Sequence, residues 1–161
     1  MDGSDDDITA TVQAYRDRRA AATGREAEQE KTRQEAEYRR QQNVTAWGDA
    51  GQSHTVAGII AGAVVKEGNR IAQIAPESSL LFYYQHQTDP LTILFTVHES
   101  RSPAATLAAL RFSMDDDGLV SATTDIHGLS LPPPCPRNDV TALWVAGITR
   151  EVWKAAFARK I

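Results

Sequence analysis

The chain has 161 residues, a net charge of −4 and a pI near 5.5. That length fits one domain, or a smaller domain with an extension, and the negative charge gives no field that would draw the protein to nucleic acid or anionic lipid. The single cysteine, Cys135, excludes an internal disulfide and a cysteine-based zinc site, and it is typical of a reducing compartment. We therefore expect a cytoplasmic protein without metal or cofactor, for which nucleic acid is a disfavoured partner.

No segment has the pattern of a targeting or membrane sequence. The first residues, MDGSDDDI, carry four aspartates and no basic region followed by apolar residues, so we expect no secretory signal. The longest apolar run, VAGIIAGAVV at 56–65, is about half the ~20 residues that span a bilayer. We expect no association with membranes.

The first third of the chain predicts one long, charged helix. From residue 8 to residue 47 there is no proline and one glycine, and the composition is dominated by strong helix formers. Apolar residues occupy fewer than the two positions per heptad that a coiled-coil seam needs. We predict a charged helical arm over residues 1–48 that packs against a partner chain or against the rest of its own chain. A weak coiled-coil dimer and a partly disordered arm are the alternatives. The candidates for self-association are Val12, Tyr15, Ala22 and Ala36.

A compact α+β domain is predicted for residues 49–161. Apolar residues repeat about every 3.6 positions from Val56 to Ile74, which predicts a second helix. Ser53 lies just before this helix and can cap it. Gly58 and Gly62 lie one turn apart in that helix, and their missing side chains would let another backbone approach it closely.

After Pro76 the period changes to alternation, which indicates β-strands. The short connections between them favour an antiparallel meander. The second strand has an apolar face for the core. Asp139 is the predicted N-cap of a C-terminal helix that runs from Val140 to the end and packs on the sheet. The four predicted strands are Leu80 to His86, Leu91 to His98, Thr106 to Met114 and Leu119 to Thr124.

The acidic and imidazole residues form no complete catalytic or metal motif. The sequence DDDG at 115–118 lacks the first and last ligands of a calcium loop and predicts a hairpin turn. His86 and His98 would lie at opposite ends of a hairpin, too far apart to share a metal. The run PPPCPRND at 132–139 predicts a stiff spacer and helix cap, with Cys135 uninvolved. Asp125 and His127 are the acid and imidazole that local geometry alone could bring together.

Two functions remain compatible with these patterns. The first is a non-enzymatic interaction or assembly protein that docks a protein partner, or forms a homodimer, through the long helix. The alternative is a small-molecule-binding domain or small hydrolase with a pocket between the sheet and a helix. Its candidate ligand-binding residues are Tyr83, Tyr84, His98, Arg111, Asp125 and His127.

Overall fold

The architecture is α+β, as predicted, in a computed structural model described for residues 3–74, 80–99 and 102–160. It divides into two compact units, Met1–Arg40 and Gln41–Ile161. The division falls inside the first helix, because the last turns of that helix pack into the second unit. The elements are α1 (Gly3–Trp47), α2 (Val56–Ile74), β1 (Leu80–Thr88), β2 (Leu91–Glu99), β3 (Ser102–Met114), β4 (Leu119–Thr124), β5 (Cys135–Pro136), a 3₁₀ turn (Arg137–Asp139) and α3 (Ala142–Lys160).

The first unit consists of one stretch of α1. Its threonine hydroxyls donate hydrogen bonds to the carbonyl four residues earlier, as Thr9 does to Asp5 at 2.8 Å, so they remain compatible with the helix. Arg33 pairs with Glu30 at 2.7 Å, one helical turn away on the exposed surface. A single helix offers no second element on which to bury a side chain. Every residue from 3 to 40 is exposed, except for the half-buried Ala22.

The turn between α1 and α2 is organised by Thr55. Its hydroxyl oxygen accepts a hydrogen bond from the N–H of Gly58 at 3.0 Å and lies 2.8 Å from the carbonyl oxygen of Asp49. Thr55 is thus the N-cap of α2, and the expectation that Ser53 caps this helix is wrong. The helix α1 ends at Trp47, and the next residue, Gly48, has a φ of 63°, which favours glycine.

The sheet has five antiparallel strands in the order of the chain. Four are those predicted, and their register sets His86 opposite Ile93 and His98 opposite Leu81, so the two histidines lie at opposite ends of the first hairpin. The fifth strand, β5, pairs Cys135 with Val120 and was predicted to be part of a spacer. The sequence did not indicate this strand, because Cys135 has a proline on each side and proline has no backbone N–H to donate to a neighbouring strand. In the connection between the second and third strands, residues 100 and 101 lie outside the described residues.

One face of the sheet forms the core with α2 and α3. Ile93, Phe95 and Val97 of β2 are buried on that face, as alternation predicts. The C-terminal helix packs on β3 as expected. Its cap differs from the prediction: the hydroxyl of Thr141 accepts the N–H of Trp144 at 3.2 Å, whereas Asp139 ends a 3₁₀ turn.

Candidate interaction surface

An apolar stripe runs along the first turns of α1. Ile8, Val12 and Tyr15 follow one another at i, i+4 and i+7, so they share one side of the helix, and they are 60%, 43% and 57% exposed. Ala22 continues this side, whereas Ala36 lies about 80° around the helix from Ile8. We call Ile8, Val12, Tyr15 and Ala22 the α1 stripe. Ile8 is absent from the sequence-based candidates, although its seven-residue spacing from Tyr15 could have identified it.

Beyond Ala22 the same side of α1 is charged. A hydrogen bond from Arg33 lowers the pKa of the Glu30 carboxyl, and Glu30 in turn raises the pKa of Arg33. Both groups are exposed, so this pair adds little to stability. The side therefore changes from mainly apolar, with Arg19 as an exception, to charged residues of both signs along its length. The charged members are Glu26, Glu30, Arg33, Glu37 and Arg40.

Three of the predicted ligand-binding residues lie on the sheet face opposite the core. The rings of Tyr83 and His98 meet edge to face, with centroids 5.4 Å apart. His98 is further fixed by a 2.9 Å hydrogen bond between its Nε2 and the hydroxyl of Thr96. Arg111 is exposed on the same face, opposite Leu94 in the β2–β3 register. This face brings an imidazole and a phenol together without a carboxylate bonded to either among the described residues.

Asp125 and His127 do not act on one another in the described structure. One carboxylate oxygen of Asp125 accepts the backbone N–H of Ala109 at 2.9 Å, which closes the end of the β3–β4 ladder. His127 is exposed, next to a turn in which Gly128 has a φ of 80°. No hydrogen bond or ion pair between the two is found within the residues described. The carboxylate of Asp125 thus binds a backbone N–H group rather than the imidazole of His127.

Tyr84 points to the other side of the sheet and borders a cleft between α2 and β1. The cleft has a volume of about 210 Å³, and its walls include Val64, Gly68, Phe95 and Trp153. The side chain of Tyr84 is half exposed and packs against the ring of Phe95, with ring centroids 5.9 Å apart. Tyr83 also lines this cleft, whereas the remaining candidates do not; these are His98, Arg111, Asp125 and His127. We call it the α2–β1 cleft.

A larger, open groove of about 690 Å³ lies between α2 and α3. Its one buried acid, Glu67, has a carboxylate oxygen 2.9 Å from the guanidinium of Arg150 and 4.0 Å from that of Arg70. The carboxylate is therefore paired with two cations.

The cysteine thiol and the acidic turn at 115–118 also have environments that a structural role explains. Burial raises the pKa of the Cys135 thiol, and the carboxylate of Asp139 raises it further, the opposite of an activated nucleophile. The turn at 115–118 is a hairpin turn, as predicted: the carboxylate of Asp115 accepts the N–H groups of Asp117 and Leu119, and Gly118 has a φ of 78°. Within the described part of the chain, no group of three or more potential ligands could hold a metal ion.

Comparison with known proteins assigns no family, because no family model, curated protein or solved structure matches the chain. Among the described helices, none is both long and apolar enough to cross a membrane.

Proposed function

We propose that this protein is a non-enzymatic interaction or assembly protein that associates with a second copy of itself through α1. The exposure of α1 carries the proposal: from residue 3 to residue 40 no side chain is buried. Helices in proteins take most of their stability from packing an apolar face. The α1 stripe is such a face, and the unit that contains it offers no element to cover it. A second α1 would supply that cover.

The size of the stripe predicts weak association. Full burial of a large apolar side chain is worth about 1.5–3 kcal/mol. Ile8, Val12 and Tyr15 retain roughly half of their surface to bury, which gives about 3–4 kcal/mol per helix. Two helices together gain at most about 7 kcal/mol when both stripes are fully covered, near the lower end of the roughly 4–15 kcal/mol that association costs. We therefore expect a dimer that forms at high concentration and dissociates on dilution.

The charges on the striped side favour an antiparallel pair. If two helices pair head to tail about the midpoint between Ala22 and Thr23, Asp5 lies opposite Arg40 and Arg19 lies opposite Glu26. In this register the apolar side chains of Ile8, Val12 and Tyr15 are covered by the aliphatic stems of charged residues of the other helix, namely Glu37, Arg33 and Glu30. Each exposed opposite-charge pair adds about 0.2–1 kcal/mol.

A parallel, in-register pair has the opposite electrostatic character. It sets each charge against its own copy, which destabilises helical pairs by similar amounts. The charge pattern thus selects the head-to-tail orientation.

Light scattering on the full chain tests self-association. We expect the mean mass to rise with concentration, and the double substitution Val12→Lys with Tyr15→Lys to leave a monomer at all concentrations. Tyr38→Lys is the matched control, because Tyr38 is 65% exposed on the same helix but lies about 120° around it from Ile8. A wild-type monomer up to the solubility limit, or an equal effect of Tyr38→Lys, contradicts the proposal.

Cysteine cross-linking tests the orientation, in a Cys135→Ser background. Ala22→Cys should cross-link to its own copy in either orientation, so it reports pairing alone. Asp5→Cys mixed with an Arg40→Cys chain of different tag length should give the mixed dimer. Self-cross-linked Asp5→Cys chains in place of the mixed dimer would show a parallel pair, and the head-to-tail arrangement would be abandoned.

A second candidate function, binding of a small molecule, is favoured by the α2–β1 cleft. The cleft lies between the sheet and a helix and is walled mainly by apolar and aromatic side chains, as ligand pockets commonly are. Gly68→Leu would fill it, since a Cβ at Gly68 points toward the ring of Phe82 at 3.5 Å. Loss of binding of a small apolar molecule in this variant is the expected result. Among the described residues, no Ser, Cys, His, Asp or Glu lines the cleft, so the cleft favours binding over the small-hydrolase alternative.

A further inference from the structure

The two edges of the sheet differ in how they are protected against pairing with another chain. One edge is β5, which has two residues, one of them Pro136, and follows the proline run at 132–134. Short edge strands and prolines are common means of keeping an edge from pairing. The other edge is β1, which has nine residues and contains no proline and no Asp, Glu, Lys or Arg. Its register with β2 is unbroken, so no bulge turns this edge away.

The backbone along the outer side of β1 is accessible in the described structure. In an antiparallel pair, every second residue turns its N–H and C=O groups away from the neighbouring strand. Among the described residues, no backbone group outside the sheet bonds to these groups of β1. Three consecutive residues in the middle of the strand, Tyr83, Tyr84 and Gln85, are exposed. The edge can therefore accept a further strand.

The α2–β1 cleft lies next to this edge. Val64 and Gly68 of α2 are buried in its wall, whereas Val65 of α2 and Tyr84 of β1 border it and are 46% and 51% exposed. The cleft therefore opens between α2 and the edge strand. A strand added to β1 would direct every second side chain to the α2 side of the sheet. One of these side chains would lie at the opening of the cleft.

The lining of the cleft selects an uncharged, aliphatic side chain. No Asp, Glu, Lys or Arg lines the cleft, so a charged group would lose its hydration there without gaining a partner. Aliphatic atoms, in contrast, gain from leaving water. The volume of about 210 Å³ equals roughly seven water molecules of about 30 Å³ each, which accommodates one side chain of the size of leucine.

A second copy of β1 would not supply that side chain. The core-side residues in the middle of β1 already contact their own fold. Phe82 packs edge to face on Trp153 with centroids 5.7 Å apart, and His86 accepts the indole N–H of Trp47 at 3.0 Å. Tyr84, between them, packs against β2. Pairing of two β1 strands would leave the cleft unfilled, so the occupant that fits is a different chain.

We infer that β1 binds an extended, uncharged segment of a partner protein as a sixth strand of the sheet, with one aliphatic side chain of that segment in the α2–β1 cleft. In this mode of recognition, main-chain hydrogen bonds supply affinity and a pocket for a side chain supplies specificity. The site goes beyond self-association through α1 and does not depend on it. The side chain occupies the cleft in place of the small molecule of the second candidate function.

A short peptide tests strand addition. The probe alternates threonine and leucine over seven residues, has blocked ends, and carries a fluorescent label and two lysines beyond the alternating part for solubility. Its binding to the full chain is measured by fluorescence anisotropy. Methylating one backbone nitrogen at a time removes one donor from the peptide. We expect the affinity to fall about 2- to 12-fold at every second residue, the range of one net hydrogen bond, and to change little at the residues between.

Amide hydrogen exchange measured by NMR locates the bound peptide. In the free chain, the amides of β1 that do not bond to β2 should exchange fast. The peptide should slow every second amide between Leu80 and Thr88. Exchange in β5, at the protected edge, should not change.

Variants of α2 test the cleft. Gly68→Leu fills the cleft and should weaken the peptide about tenfold or more, because the leucine side chain of the peptide stays in water. Gly62→Leu is the matched control on the same helix: nothing lies within 4 Å of its added Cβ, and it does not line the cleft. Val12→Lys with Tyr15→Lys should also leave the affinity unchanged. If Gly68→Leu does not fold, a peptide of threonine alone tests the cleft on the wild type and should bind about tenfold more weakly.

The failures are distinguishable from those of α1 pairing. No binding up to the solubility limit of the peptide, or losses on methylation that do not alternate, would overturn strand addition and leave self-association through α1 in place. Equal affinity of the leucine and threonine peptides would overturn the role of the cleft. If the alternate amides of β1 already exchange slowly in the free chain and become fast on dilution, a second copy covers the edge and the partner segment is refuted.

Discussion

The loop before α2 runs so close to that helix that Gly58 cannot carry a side chain. A Cβ at this position would overlap the carbonyl oxygen of Gln52 and lie 2.5 Å from its carbon. The obstacle is backbone, which cannot swing aside as a flexible side chain does. The same carbonyl accepts the backbone N–H of Thr55 at 3.0 Å and lies 2.7 Å from its hydroxyl. Gly58→Ala must therefore displace the N-terminal cap of α2.

The cost follows from these contacts. Overpacking of a rigid site costs about 1–3 kcal/mol, and each weakened hydrogen bond adds about 1 kcal/mol. We expect Gly58→Ala to lower the free energy of unfolding by about 3–5 kcal/mol, a large part of the ~5–15 kcal/mol that stabilises a typical domain. Gly62→Ala is the matched control one turn later, where nothing lies within 4 Å of the added Cβ. It should raise the free energy of unfolding by about 0.5–1 kcal/mol, because alanine is the better helix former.

Urea unfolding followed by tryptophan fluorescence measures both changes. The protein's three tryptophans, at 47, 144 and 153, lie in the second unit, so this signal is not obscured by unfolding of the exposed part of α1. A Gly58→Ala protein as stable as the wild type would refute the described path of residues 49–55. Equal losses for Gly58→Ala and Gly62→Ala would show that both glycines face a neighbouring backbone, as the sequence alone predicts.

Three further predictions concern two side-chain hydrogen bonds and the cysteine thiol of the second unit. Thr55→Val keeps the shape of the side chain but removes the cap of α2, and urea unfolding should show a loss of about 1–2 kcal/mol. Asn43→Ala removes the 2.9 Å hydrogen bond from its amide to the carbonyl of Asp116, and a loss of about 1–2 kcal/mol is expected in the same assay. Because the pKa of the Cys135 thiol is raised, iodoacetamide should alkylate it more slowly than an unstructured peptide thiol near pH 8, as followed by mass spectrometry. A faster reaction would contradict the described burial.

Much of the fold could be predicted because its signals are local. Alternation over residues 91–97 marks the buried face of β2 directly, since the pleat itself has a period of two. Helix-forming residues alone suffice to indicate α1. The two-residue β5 could not be predicted, because its pairing with β4 depends on a distant partner and its flanking prolines indicate a spacer. The caps Thr55 and Thr141 were each missed by two residues, because several cap-forming residues lie close together at both helix starts.

The candidate sites were less predictable, because they depend on which residues distant elements bring together. Tyr84 was selected for its chemistry, and it does border the α2–β1 cleft. Trp153 is absent from the sequence-based candidates, since nothing in its sequence neighbourhood reveals that its buried N–H has no acceptor among the described residues. The proximity of Asp125 and His127 in sequence was misleading as a guide to contact, because a backbone N–H at Ala109 engages the carboxylate.

The continuity of α1 determines how self-association must be tested. Removing residues 1–47 would seem to separate the charged helix from the α+β domain, but Trp47 is fully buried and donates its indole N–H to Nε2 of His86 at 3.0 Å. A chain beginning at Gly48 would also lose the peptide carbonyl of Gln42 that accepts from Arg137 at 2.9 Å. Loss of oligomers in such a chain would not distinguish a missing interface from a damaged core. The surface substitutions in the α1 stripe change exposed atoms alone, so they are the test that bears on the interface.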